Sequence, residues 1–166
     1  CAHGKTETSY QLGHTDRFMH GPRVTQAKPN SPWKVGLEVL YGERSSPLER
    51  AVQSTPLGTV RVDAQTTNHR VILSTMLLYE LDFKLCDLVA FSINTSAGVS
   101  LDISIDATHV YLNSQSVGTF PSPELAGNLF VQVGPELQIW QIPIQYSMRF
   151  TDTGELQYYV SAGWEF

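Results

Sequence analysis

The last eleven residues of the chain, 156–166, alternate strictly between two kinds of side chain. One set is apolar or small: Leu156, Tyr158, Val160, Ala162, Trp164 and Phe166. The other set is mostly polar or small: Gln157, Tyr159, Ser161, Gly163 and Glu165. A period of two predicts a β-strand with one apolar face and one more polar face. An exposed strand ending on an aromatic residue is of little use to a soluble protein. A transmembrane β-barrel uses it, because its closing strand is paired and its rings lie at the bilayer interface.

This ending resembles the C-terminal signature of bacterial outer-membrane β-barrel proteins, which finish on Phe after alternating aromatic or apolar positions. The same pattern, without a family-specific signature, continues through residues 33–166. The resemblance implies an all-β fold, an antiparallel up-and-down barrel of about eight strands, in the bacterial outer membrane. An even strand number places both chain ends on one side, which in that membrane is the periplasm. The alternation alone also fits a soluble β-sandwich, which stays open as the alternative fold.

The composition agrees with a membrane barrel and disfavours other classes. Charged residues make up 16% of the 166 residues, below the roughly 25% of soluble domains. The net charge of −5 argues against nucleic acid as a partner. The sequence has no apolar run long enough for a transmembrane helix.

Cys1 is the candidate lipid anchor of the chain. A mature N-terminal cysteine resembles that of bacterial lipoproteins, in which it carries diacylglycerol and an acylated amine, for example with palmitate. Several acyl chains give stable membrane attachment where one gives marginal binding. Without lipid, a Cys1–Cys86 disulfide stays open.

Residues 1–32 lack a sustained apolar period, and we interpret them as an extended N-terminal segment ahead of a barrel domain at 33–166. Strands are predicted at 33–43, 59–66, 71–85, 88–94, 99–112, 129–137, 139–150 and 156–166. A turn is predicted at 68–70 and a loop at 113–128, where Gly and Pro are frequent. Pro135 and Pro143 are costs to this interpretation, since each removes a donor from the ladder.

Strand parity divides the candidate functional residues into two groups. Ten aromatic residues, most of them near predicted strand ends, are candidates for membrane girdles: Trp33, Tyr41, Tyr79, Phe83, Trp140, Tyr146, Phe150, Tyr158, Trp164 and Phe166. Seven charged residues are candidates for the barrel interior: Lys34, Glu38, Glu80, Asp82, Lys84, Asp102 and Asp106.

No motif in the sequence indicates catalysis, and we expect no cofactor and no metal site. Asp102, Ser104 and His109 offer the residue types of a hydrolytic triad, yet His109 has the opposite strand parity. We therefore interpret the acids as structural and keep a lipid-modifying hydrolase as an alternative. The leading hypothesis is a small outer-membrane barrel lipoprotein with a structural or accessory role, in contact with membrane lipid and binding a larger protein complex of the envelope. A periplasm-facing sandwich lipoprotein that binds a partner protein is the other alternative.

Overall fold

The computed structural model describes residues 5–27, 29, 31–56, 58–86 and 88–165, except for the side chain of Lys84. No helix in this part of the chain is long and apolar enough to cross a bilayer. Nine strands contain most of the described residues: β1 (Thr6–His14), β2 (Phe18–Ala27), β3 (Trp33–Ser45), β4 (Glu49–Thr55), β5 (Gly58–Lys84), β6 (Val89–Leu112), β7 (Gln115–Ile139), β8 (Ile142–Thr151) and β9 (Leu156–Glu165).

Eight of these strands close into an antiparallel barrel. They follow one another in the order β3-β2-β1-β9-β8-β7-β6-β5, and β3 pairs with β5 to complete the ring. Strand β1 pairs with β9, so the two ends of the chain join the wall side by side. The fold prediction of an up-and-down barrel of about eight strands is confirmed, and the β-sandwich alternative is wrong because the described sheet has no second layer.

Strand β4 is the continuation of β3 beyond the barrel. Both lie along the same edge of β5, which pairs with β3 through residues 67–79 and with β4 through residues 58–64. Strands β5, β6 and β7 are 24 to 27 residues long, whereas 9 to 13 residues suffice for β1, β2, β3, β8 and β9. The excess length rises above one wall as a four-stranded "projecting sheet", which comprises residues 49–55, 58–66, 108–112 and 115–120.

The barrel therefore has two different rims. The "terminal rim" carries the start of β1, the end of β9 and the connections β2–β3, β5–β6 and β7–β8. The "loop rim" carries the connections β1–β2 and β8–β9 and the base of the projecting sheet. Short connections on one side and long extensions on the other are typical of bacterial outer-membrane barrels.

The prediction that residues 1–32 form a loose segment is wrong for the part that the structure describes. Residues 6–14 and 18–27 are barrel strands, paired with each other and with β9 and β3. Their outward faces carry few aliphatic residues, and the Gly21-Pro22 pair looks like a turn in the sequence. Cys1 lies outside the described residues.

Three other predicted boundaries are also wrong. The turn at 68–70 lies inside β5, the break near residue 96 lies inside β6, and the loop at 113–128 lies mostly in the part of β7 that pairs with β6 but not with β8. Gly98 explains the apparent break, because a Cβ there would meet the backbone of Thr75 and the ring of Phe130. Small residues fit this crowded interior position and do not interrupt the strand.

Two Gly-Pro pairs relieve local crowding in the barrel wall. At Gly21-Pro22 the ladder between β2 and β3 is interrupted, and at Gly134-Pro135 the ladder between β7 and β8 is interrupted. A Cβ on either glycine would collide with the carbonyl oxygen of the neighbouring strand, that of Val39 or Tyr146. Proline removes a donor at a point where the ladder is already open, so Pro135 is compatible with a continuous strand.

The packing is inverted relative to a soluble domain. Among the described residues, 19 polar or charged side chains are buried against seven apolar ones. Large apolar side chains instead cover the outer wall on every barrel strand. In water such a surface would be costly, whereas hydrocarbon is its favourable surrounding.

Candidate functional site

The middle of the barrel is closed by an ion pair between opposite walls. Arg149 on β8 donates from Nη2 to Glu38 Oε1 on β3 at 2.6 Å, and the two side chains are 1% and 0% exposed. Three strands separate β8 from β3 along the wall, so this contact crosses the interior. The inward parity of both residues follows directly from strand alternation.

Arg149 is held on all sides by other interior groups. Its guanidinium lies 4.2 Å from the ring centre of Phe130 and 4.8 Å from that of Tyr159. It also donates to Gln132 Oε1 at 2.9 and 3.1 Å, and Gln132 in turn donates to Ser147. Cation–π contacts and a counter-charge together compensate the burial of the guanidinium.

Other side chains fill the layers on either side of this ion pair. Met19, Leu40 and Ile72 form an apolar cluster with Tyr159. In another layer Arg23 is buried and donates to Gln145 Oε1 at 3.0 Å. A barrel of eight strands is just wide enough for its interior to be filled in this way.

The terminal rim opens into a charged cavity of about 570 Å³. Lys34 Nζ lies 2.5 Å from Glu80 and 3.7 Å from Glu7, and Lys5 Nζ lies 2.9 Å from Glu165. The cavity ends at the filled interior, so it is a vestibule within the barrel mouth. Cys86 is exposed in the β5–β6 connection beside it and forms no disulfide with another described residue.

The loop rim is crossed by a second ion-pair network, centred on Arg70. Arg70 donates to Asp102 Oδ2 at 2.8 and 2.5 Å and to both carboxylate oxygens of Glu155 at 3.2 and 3.1 Å. Asp16, in the β1–β2 turn, accepts a hydrogen bond from Arg17 Nη2, and its Oδ1 lies 3.3 Å from Arg70 Nη1. The hydrogen bond from the Arg17 guanidinium lowers the pKa of Asp16, so the Asp16 carboxylate keeps its charge well below its ordinary range.

Aromatic side chains form two bands on the outer wall. At the terminal rim, three contacts between neighbouring rings mark the band: Trp33–Tyr79 at 4.9 Å, Trp140–Trp164 at 6.0 Å and Phe83–Phe91 at 6.3 Å. Towards the loop rim, Tyr10 bonds to His20 at 2.6 Å and Tyr41 bonds to His69 at 2.9 Å.

The structure places nine of the ten girdle candidates on the outer wall; the tenth, Phe166, lies outside the described residues. Trp33, Tyr79, Phe83, Trp140 and Trp164 contribute to the band at the terminal rim, and the other described members lie along β3, β8 and β9. Which of these rings contact lipid stays a prediction.

The interior candidates divide by depth. Glu38 is fully buried, Asp102 is nearly so, and Lys34 and Glu80 form an ion pair in the vestibule. Asp82 is exposed at the edge of that vestibule, and Asp106 accepts from Asn68 near the loop rim. Nothing is described of the Lys84 side chain.

The residue types of the hydrolytic triad do not converge. Asp102 and Ser104 have inward parity, and their described partners are Arg70 and Asn68. His109 has outward parity and bonds through Nδ1 to Thr119 at 2.9 Å. Among the described residues, no group of three or more His, Cys, Asp or Glu side chains is arranged to hold a metal ion.

Sequence reasoning missed the residues that close the interior. Strand alternation indicates that Arg149, Gln132 and Tyr159 point inward, because each has the parity opposite to the apolar residues of its predicted strand. Their convergence with Glu38 depends on which strands face each other across the ring, which a single strand pattern does not contain.

The barrel architecture is shared with solved membrane proteins. The N-terminal β-barrel domain of Pseudomonas aeruginosa OprF superposes with a TM-score of 0.60 at 13% sequence identity, covering 99% of this chain and 98% of that one. Yersinia pestis Ail, the attachment invasion locus protein solved with the heparin analogue sucrose octasulfate, gives a TM-score of 0.52 at 12% identity, covering 99% and 100%. The fold is that of the small outer-membrane β-barrels. No protein-family model matches the chain. A search of curated proteins also finds no match.

Proposed function

We propose that the protein spans the bacterial outer membrane as a closed, non-conducting barrel with a structural or accessory role. The single observation that carries this proposal is the inverted packing: a closed ring of strands with a polar, filled interior and an apolar outer wall. Hydrocarbon favours such a wall, and a closed ring leaves no unpaired strand edge within the bilayer.

The orientation in this proposal follows from the two rims. The terminal rim, with its short connections, faces the periplasm, and the projecting sheet extends outside the cell. Lys5, the first described residue, lies at the terminal rim, 2.9 Å from Glu165. A lipid on Cys1 would therefore enter the leaflet beside the same rim, and we include that anchor in the proposal.

The filled interior directs any binding activity to the ends of the barrel. We expect the buried Arg149–Glu38 pair and its neighbours to block a solute, so transport is not part of the proposal. Binding to a larger envelope complex would use the vestibule, the projecting sheet or the outer wall. The hydrolase alternative has no support from the placement of His109.

Gel mobility and conductance together test this proposal. Protein folded in detergent should migrate differently on a denaturing gel before and after boiling, because a closed barrel resists the detergent until heated. The same preparation should produce no stepwise conductance in planar bilayers. A single boiling-independent band, or a stable monomer in detergent-free buffer, would contradict the barrel in the membrane, and regular channel openings would contradict a closed interior.

The lipid anchor needs a separate measurement. Intact mass spectrometry of protein from native membranes should give a mass larger than that of the sequence by the diacylglycerol and acyl groups. A mass equal to the bare sequence, or a Cys1–Cys86 disulfide, would remove the anchor from the proposal without affecting the barrel.

A further inference from the structure

The projecting sheet ends in two unpaired edges that differ in their chemistry. One edge is β4, which lies at the end of the strand order and pairs only with β5 among the described strands. The other is β7 before residue 130, where its pairing with β8 begins. An unpaired edge presents N–H and C=O groups to any further strand, and proteins normally protect such edges.

The β7 edge is protected by Pro121 and Pro123, which lie just below the projecting sheet, and by a bulge at Val117 within it, where the register with β6 shifts. The register of β7 with β6 is unbroken from residue 118 to 139, so Pro121 and Pro123 share the parity of Pro135. At Pro135 the missing donor faces β8, where the ladder is interrupted. The backbone nitrogens of Pro121 and Pro123 therefore face the free edge. Because they carry no hydrogen, this edge cannot form a complete ladder with another strand.

The β4 edge carries no such protection. Its seven residues, Glu-Arg-Ala-Val-Gln-Ser-Thr, include no proline and no lysine, and six of the seven are exposed. Val52, at the centre of the strand, is 60% exposed although it lies in a regular strand. Within the described part of the chain no barrel strand shields this edge, because β2 pairs with β3 only as far as Gly42.

We propose that β4 pairs with β4 of a second copy of this chain. An antiparallel pair with Val52 opposite Val52 matches all seven residues, because the strand 49–55 is centred on residue 52. In that register Glu49 lies opposite Thr55, Arg50 opposite Ser54 and Ala51 opposite Gln53. No like charges oppose each other, and an apolar pair lies on the two-fold axis.

This pairing has a consequence for the whole molecule. Antiparallel partners run in opposite directions, so the two barrels lie at opposite ends of the joined eight-stranded sheet. With the orientation of the proposed function, the two copies belong to two apposed membranes. A single seven-residue strand pair buries little surface and is weak, but many copies on two facing membranes bind through multivalency.

Vesicle clustering tests the pairing with the intact protein. Lipid vesicles that carry the wild-type chain should cluster, with a rise in mean hydrodynamic diameter of at least about threefold by light scattering. Vesicles with Val52→Glu should stay dispersed, because two carboxylates then meet on the two-fold axis. Vesicles with Val52→Lys should also stay dispersed alone, and should cluster when mixed with the Val52→Glu vesicles, since opposite charges then face each other.

Val117→Glu is the matched control. Val117 is also 60% exposed and lies near the tip of the projecting sheet, but on the protected strand β7. This variant should cluster as the wild type does. Dispersed wild-type vesicles would overturn the proposal, as would clustering by Val52→Glu alone, no recovery in the mixture, or loss of clustering in Val117→Glu. Each preparation is first checked for the heat-dependent gel shift, so failure of this pairing is distinguishable from failure of the barrel.

Discussion

Arg149 is the side chain on which the closed interior depends most. Its charge is buried between two aromatic rings, and Glu38 supplies the counter-charge from the opposite wall. A guanidinium keeps its proton even when it is buried. Removal of Glu38 therefore leaves an unpaired charge in the interior. The cost of breaking it is therefore larger than the net contribution of the intact pair.

Glu38→Ala should lower the free energy of unfolding by about 3 kcal/mol, because it leaves the buried Arg149 without a counter-charge. Urea unfolding in detergent micelles, followed by tryptophan fluorescence, measures the change. Glu43→Ala is the control, since Glu43 lies on the same strand with its side chain 50% exposed. Equal stability of the two variants would contradict the role given to this pair. Adding Arg149→Met to Glu38→Ala should recover part of the loss, because no unpaired charge then remains.

Asp63 is the ionic contact between strands β4 and β5 of the projecting sheet. It accepts from Arg61 Nε at 3.0 Å and from Arg50 Nε at 3.2 Å, and so connects β4 to β5. The hydrogen bond from Arg61 lowers the pKa of Asp63 below its ordinary value of 3.8. A lowered pKa means that the pairs stabilise the hairpin above about pH 4 and are lost as the pH falls through the lowered value.

Hydrogen exchange tests this dependence locally. Amide protection in residues 49–64, corrected for intrinsic exchange rates, should fall as the pH is lowered below about 4, while protection in β1 and β9 changes less. Asp63→Asn should show the same loss of protection already at neutral pH. Asp152→Asn, in the exposed β8–β9 turn, is the control and should leave residues 49–64 unchanged. Unaltered protection in Asp63→Asn would show that the ion pairs do not hold β4.

At the scale of elements, Gly134 shows why the barrel strands tolerate Gly-Pro pairs. A Cβ at this position would collide with the carbonyl group of Tyr146, whereas Gly127 on the same strand has no atom within 4 Å of an added Cβ. Gly134→Ala should destabilise the barrel by about 1–3 kcal/mol, because backbone must shift to admit the methyl group. Gly127→Ala should be neutral or slightly stabilising, since Ala restricts the unfolded chain. Urea midpoints of the two variants give the comparison, and equal midpoints would contradict the crowding at Gly134.

The strand count shows which elements a sequence pattern can identify. Eight barrel strands were predicted and eight are present, but two errors cancel. Strands β5 and β6 were each divided in two, and β1 and β2 were missed. Strand β9 was identified correctly because its apolar face is complete. Strand β1 has only Tyr10 and Leu12 as large apolar residues on its outward face, so its period is too weak to recognise.

The sequence predicted which residues point into the barrel but not which of them contact each other. Parity correctly indicated that Glu38 and Asp102 point inward, because that property belongs to one strand. The pairing of Glu38 with Arg149 joins residues 111 positions apart, across the ring. It depends on strand order and closure, which follow from pairing among all eight strands. The extension of β7 beyond β8 was missed for a related reason, since Pro121 and Pro123 indicate a loop unless the strand is known to be an edge.

At the scale of the whole molecule, the three tryptophans of the chain report on how it sits in a membrane. Trp33, Trp140 and Trp164 all lie at the terminal rim, on the outer wall, and are 41% to 64% exposed. In the proposed membrane they share one interface, where indole rings are favoured by their polar N–H and apolar body. The native fluorescence of the protein is therefore a depth marker for one band of the barrel.

Quenching of this fluorescence by brominated lipids tests most directly whether the outer wall faces hydrocarbon. In vesicles of lipids brominated at defined positions along the acyl chains, quenching should be strongest for bromines near the glycerol and should fall steadily towards the chain ends. Boiled, unfolded protein added to the same vesicles is the control and should lose this depth dependence. Absence of quenching at every depth would contradict a lipid-facing wall, and strongest quenching at the chain ends would contradict the placement of the tryptophan band at the interface.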